Sequence, residues 1–140
     1  MQLRKNTILD YREEGKNKKY FLKNNILTKN IIKMSENYKL IKLLQQKPIM
    51  QDILEKSTSK LIILFGSYAK GTETKNSDID IYIETKDNSI KKELELMDTK
   101  LSIKIGDFYK ETALAKEIQK NRIILKGIDR YYEIIHKENV

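Results

Sequence analysis

Two aspartates two residues apart, Asp78 and Asp80, stand in the stretch Ser77-Asp78-Ile79-Asp80-Ile81-Tyr82-Ile83-Glu84. The alternation puts Ile79, Ile81 and Ile83 on one face of a strand and Asp78, Asp80, Tyr82 and Glu84 on the other. Carboxylates at i and i+2 lie ~7 Å apart at their Cα atoms and point the same way. Such a pair suits joint binding of Mg²⁺, a hard cation that takes oxygen ligands from one or two carboxylates and from substrate phosphates. A solvated face on an edge strand is the plain alternative, although paired aspartates are poor strand formers.

Just upstream, Leu61-Ile62-Ile63-Leu64-Phe65 is five apolar residues without alternation, the pattern of a central strand covered on both faces. It runs straight into Gly66-Ser67. Glycine lets the chain turn sharply and lets a phosphate approach the backbone. Ser67 offers a hydroxyl and an N–H at the start of a short helix reaching about Lys70, and a helix start favours anions. Gly71 ends that turn.

GSYAKG followed across a short polar loop by SDIDIYI resembles the nucleotidyltransferases of the DNA polymerase β superfamily, and most of all its small, stand-alone or minimal members. The resemblance implies an α/β (α+β) nucleotidyltransferase fold, a small mixed sheet of about four strands flanked by helices. It implies that Gly66 and Ser67, with Lys70 and Ser77, contact the nucleotide. It further implies that Asp78 and Asp80 hold Mg²⁺ or Mn²⁺ and align the α-phosphate of ATP or another NTP. Such enzymes move a nucleoside monophosphate, here AMP by expectation, onto a hydroxyl of a protein or small molecule. Minimal members often partner helical HEPN-type proteins in toxin–antitoxin pairs.

In active members a third aspartate on a later strand completes the metal site. The corresponding strand here is Leu101-Ser102-Ile103-Lys104-Ile105-Gly106, and the matching position is Ser102 or Lys104, neither of them a carboxylate. Asp107, just past the strand, is the candidate to substitute from the neighbouring loop, against a parity that puts it on the core-facing side. A lysine on the carboxylate face predicts that Lys104 partly replaces a metal's charge and leaves a weak or inactive transferase. A catalytically degenerate nucleotide-binding or regulatory, antitoxin-like protein is therefore the alternative to an enzyme.

The elements that must position these groups follow from periodicity. Thr7–Tyr11 and Lys19–Lys23 read as two strands of a hairpin around the polar tip 12–18, centred on Gly15. From Asn24 or Asn25, Leu27, Ile31, Met34, Tyr38 and Ile41 recur at helical spacing, with Leu40 and Leu44 widening the stripe, until Lys47-Pro48 stops the helix. An amphipathic helix packed on its own domain is the reading preferred over a dimer seam. A short helix from Ile49 to about Lys56 leads into the module. Helices over Ser89–Thr99, Glu111–Asn121 and about Asp129–His136 follow it, with an apolar run at Ile123-Ile124-Leu125. His136, the only histidine, reads as a surface residue. Tyr131 and Tyr132 read as packing residues rather than platforms for a base.

The charge is uneven. Residues 1–60 hold 14 Lys+Arg against 6 Asp+Glu, whereas residues 61–140 hold 14 of each, so the whole net charge of +8 precedes the module. We divide the chain into a basic hairpin–helix appendage, 1–47, and a nucleotidyltransferase domain, 48–140. The stretch GKNKKYFLKN with its trailing helix resembles the wing of archaeal winged-helix proteins, without the recognition helix that would enter a major groove. As a remnant it would serve packing or homodimerisation, with nucleic-acid contact through Lys16, Lys18 and Lys19 as a rival role. An isolated hairpin is marginal in water, which favours a packing partner. There is no cysteine, hence no disulfide or thiolate site. No apolar run approaches the ~20 residues of a membrane span. The N-terminus lacks the apolar block of a signal peptide. A cytoplasmic protein is the expectation.

Overall fold

The unbroken apolar run before Gly66 needs cover on both sides, and the computed structural model, which describes residues 8–137, supplies it. Strand β3 (Ile62–Phe65) is buried at every residue. It lies inside a four-stranded sheet of order β5-β4-β3-β6, with β4 at Ile79–Ile83, β5 at Leu101–Ile105 and β6 at Ile123–Lys126. β3 runs antiparallel to both neighbours, while β4 and β5 are parallel. A parallel pair needs a crossover. Helix α4 (Asn88–Met97) provides it, capped by Asp87, whose carboxylate accepts from the Ser89 N–H at 2.8 Å. Strand β4 is thus an inner strand, which removes the reading of a solvated edge.

Side-chain parity then sorts the two faces. Ile62, Leu64, Ile79, Ile81, Ile83, Leu101 and Ile103 join Met50 and Ile53 of α2 (Ile49–Lys56) and Leu94 of α4 in one core. Leu61, Ile63, Phe65 and Tyr82 face the other way and meet Phe108, Ala115 and Ile118 of α5 (Ala113–Lys120), and Tyr131 of α6 (Ile128–His136). Tyr82, Phe108 and Tyr131 form a chain of tilted rings, with centroids 5.4 and 6.0 Å apart. The Tyr82 hydroxyl donates to the Gly106 carbonyl at 2.5 Å, tying β4 to the end of β5. Tyr131 is a packing residue, and His136 stacks on Tyr132. Gly127, at φ +91°, passes so close to Lys60 that a Cβ there would lie 2.1 Å from its carbonyl oxygen.

Residue contacts divide the chain between Tyr38 and Lys39. In the first unit the hairpin strands are β1 (Leu9–Glu14) and β2 (Asn17–Leu22), longer than periodicity suggested, because the tip closes in a tight turn at Gly15, φ +64°. Alternating Leu9, Tyr11 and Tyr20, Leu22 pair directly across the strands. Thr7, expected to open the first strand, lies outside the described residues.

Helix α1 spans Ile26–Gln46 and starts where Asn25 accepts from the Thr28 N–H at 2.9 Å. Within the second unit, Leu40 and Leu44 of the expected stripe pack on the sheet core beside the buried Leu43. Leu27, Met34, Tyr38 and Ile41 are exposed, Met34 by 66% and Tyr38 by 63%. The buried positions earlier in the helix are Thr28 and Glu36, so the covered arc is not the most apolar one. Among the described residues no helix is long and apolar enough to cross a membrane.

Candidate active site

The turn after β3 and the start of β4 are held together by register: Phe65 is the direct partner of Asp80. Opposed residues in an antiparallel pair share a face, so the Asp80 carboxylate lies on the Phe65 and Tyr82 side of the sheet. Gly66 follows at φ +69°, and a Cβ built on it would fall 2.4 Å from Asp80 Oδ2. Glycine at 66 therefore does two things. It permits the left-handed backbone of the turn, and it leaves the space in which the carboxylate sits.

Helix α3 is only Gly66–Lys70, ended by Gly71 in the left-handed conformation. Five residues sum little macrodipole, so what this turn offers an anion is the local N–H and hydroxyl groups of Gly66 and Ser67 rather than the field of a long helix. Ser67 is half-buried and Lys70 exposed in the last turn. The Ser67 carbonyl accepts from Gly71 and Thr72, which closes the turn. Ser77 folds the following loop: its hydroxyl accepts from the Thr74 N–H at 2.8 Å, and its own N–H donates to the Thr74 carbonyl.

The electrostatics of Asp80 record who its neighbours are. Burial pushes its carboxyl above the ordinary Asp value, and the negative charges of Asp78 and Glu117 push it further; Lys104 and the Ser102 hydroxyl pull the other way. The two aspartates thus act on one another, as the i, i+2 spacing requires. Ser102 stands directly opposite Asp80 across the parallel β4–β5 pair, and Lys104 opposite Tyr82. The position where a third acid was sought is therefore beside Asp80, and it carries a hydroxyl. Asp107 lies 3.9 Å from Lys86 and is not among the groups acting on Asp80. It supplies no substitute carboxylate.

Glu117 was not anticipated. It belongs to α5, whose Ala115 and Ile118 are fully buried against Ile63, Phe65 and Tyr82. The one sequence signal was its place three residues after Leu114 and next to Ile118, on the rim of a packed helix face.

Asp78 and Asp80 offer hard oxygen donors beside the Gly66-Ser67 turn, a donor set that fits a cation completing its shell with phosphate oxygens and water. Among the described residues no group of three or more acidic or histidine side chains stands close enough to hold an ion by itself.

A mixed sheet whose inner strands carry a Gly-Ser turn against paired aspartates is the architecture of a phosphate-handling α/β protein. The chain belongs to the nucleotidyltransferase domain family, whose model matches residues 45–136. A solved structure, described as a toxin–antitoxin with AMP-PNP, is 27% identical to this chain, covers 71% of it and 79% of its own length, and superposes with a TM-score of 0.42. No curated protein matches the chain.

Proposed function

We propose that the chain binds a nucleoside triphosphate together with a divalent cation at the Gly66–Asp80 site and transfers its nucleoside monophosphate to a hydroxyl. The supporting observation is the close fit of Asp80 beneath Gly66, which brings a carboxylate and the phosphate turn into one site. In this reading Gly66 and Ser67 hold the phosphates, with Lys70 at the exposed end of the turn. Asp78 and Asp80 would hold Mg²⁺ or Mn²⁺, which supplies charge neutralisation on the phosphates. The acceptor oxygen forms a bond to the α-phosphorus as the bond to pyrophosphate breaks, and the hydroxyl proton leaves to solvent.

The test is transfer of label from α-labelled ATP, with Mg²⁺ or Mn²⁺, to small hydroxyl compounds, to the protein itself and to a helical HEPN-type partner. Transfer lost in Asp78→Asn and Asp80→Asn supports the reading. ATP binding that is equally tight in these variants and indifferent to metal overturns it.

A second reading has its own observation. Ser102 faces Asp80 where an acid would complete the site, and the Lys104 charge bears on the same carboxylate. This favours a protein that binds nucleotide without turning it over and acts as a regulator. Metal-dependent ATP binding with no labelled product would select it.

A further inference from the structure

The first unit, Met1–Tyr38, is small, and among its described residues Ile8 is the one buried apolar side chain. Chains below roughly 40 residues usually need disulfides, a metal or association to hold their fold. The sequence has no cysteine, and among the described residues no group of three or more acids or histidines could hold an ion. Association remains, and the first part of α1 carries a surface for it.

Leu27, Ile31, Met34 and Tyr38 follow one another at steps of four, three and four residues, and the series continues at Ile41. That alternation is the 3.5-residue repeat with which one helix seats its side chains between those of another. Leu27, Met34 and Tyr38 are exposed and Ile31 is half-buried. The covered arc of the same stretch lies elsewhere. Thr28, Ile32 and Glu36, at steps of four, are buried or half-buried. At 3.6 residues per turn the centres of the two arcs stand roughly 130° apart around the helix axis. The fold thus covers one side of α1 and leaves the repeat open on another.

The residues beside the repeat decide what fits it. In a helix pair the positions flanking the seam face those of the partner, and charges there select a different chain or reject a like one. Here they are Thr28, Asn30, Ser35 and Asn37, none of them charged. Lys29 and Lys33 stand at outer positions of the repeat, where two paired copies keep them apart. A like helix therefore matches the spacing by identity and meets no repulsion along the seam. We propose that α1 pairs with α1 of a second copy of this chain through Leu27, Ile31, Met34 and Tyr38, forming a two-fold homodimer in which both copies use the same patch. The seam is short, so the dimer dissociates on dilution rather than being permanent. The pairing needs no nucleotide.

Sedimentation equilibrium of the full chain, without nucleotide, should show monomer and dimer exchanging across a dilution series. Met34→Lys should raise the dissociation constant by about tenfold or more, because it sets like charges face to face. Lys29→Gln, at an outer position, should leave it unchanged. Met34 is exposed in the single chain, so the monomer should keep its fold in the variant, read by circular dichroism. Because the chain has no cysteine, Met34→Cys introduces a single thiol. Oxidation with copper phenanthroline should join two copies of that variant and leave Lys29→Cys largely unjoined. A chain that is monomeric at every concentration overturns the proposal, whether its stripe stays bare or takes up a single-stranded oligonucleotide or a different helical protein. A dimer indifferent to Met34→Lys and unjoined in Met34→Cys overturns it equally, since the interface then lies elsewhere.

Discussion

Replacing Asp80 by Asn should make the apo protein more stable while abolishing cation binding. The carboxyl of Asp80 is raised above its ordinary value of 3.8 by burial and by the charges of Asp78 and Glu117. A carboxylate whose folded pKa lies above its unfolded one favours the fold fully at pH below 3.8, and that advantage is lost as pH rises through the folded value. At pH 7 the ionised group is therefore a net cost. For Asp78 and Asp80, about 7 Å apart, Coulomb repulsion is roughly 2.4 kcal/mol at an effective dielectric of ~20 and roughly 0.6 at ~80. Both carboxylates are partly solvated, which places the gain near the low end, about 1 kcal/mol. For a chain of this size that corresponds to about 4 °C in Tm. Asn has nearly the same shape, so it fits beneath Gly66. Differential scanning calorimetry at low ionic strength should show Asp80→Asn melting higher than the parent at pH 7, with the gap closing toward pH 4. Added Mg²⁺ with an ATP analogue should then stabilise the parent and not the variant. A variant that melts lower at pH 7, or a gap independent of pH, would refute the electrostatic account.

Gly66→Ala should cost about 2 kcal/mol or more in denaturant unfolding, because it forces a left-handed backbone on alanine and drives a Cβ into Asp80. It should also abolish nucleotide binding in isothermal titration. Gly127→Ala meets the Lys60 carbonyl instead, a backbone atom that cannot swing aside, so it should destabilise by a comparable amount. Where that variant remains folded, at low temperature, its ATP affinity should match the parent's. Tyr82→Phe removes the hydrogen bond to Gly106 and should lower stability by about 1 kcal/mol, read as a shift in denaturation midpoint at unchanged slope.

Much of the site was legible because its parts are contiguous. The apolar run, the Gly-Ser turn and the alternating aspartates sit within one stretch, and strand parity alone fixes which side chains share a face. The parity argument also placed Ser102 and Lys104 on the carboxylate side, where both lie. Glu117 escaped because its proximity to Asp80 comes from helix packing, with 36 positions of chain between them. Periodicity says which arc of a helix is apolar, not which strand that arc covers. The same limit explains α1. Leu27, Met34, Tyr38 and Ile41 do form a stripe at helical spacing, yet all four are exposed, and within the second unit it is Leu40, Leu43 and Leu44 that join the sheet core. The hairpin was seen in type but not in extent, since the length of its strands depends on how tightly Gly15 closes the turn.

The missing Cβ of Gly66 also bears on transplanting the module. A phosphate turn and a metal carboxylate are usually treated as separable parts, each graftable where a scaffold has room. In this chain the carboxylate of one occupies the side-chain space of the other, so neither surface exists without its counterpart. A host fold would have to accept both strands in their antiparallel register, with position 65 opposite position 80, before either half acquired its shape. The unit to be transplanted is the strand pair rather than the motif.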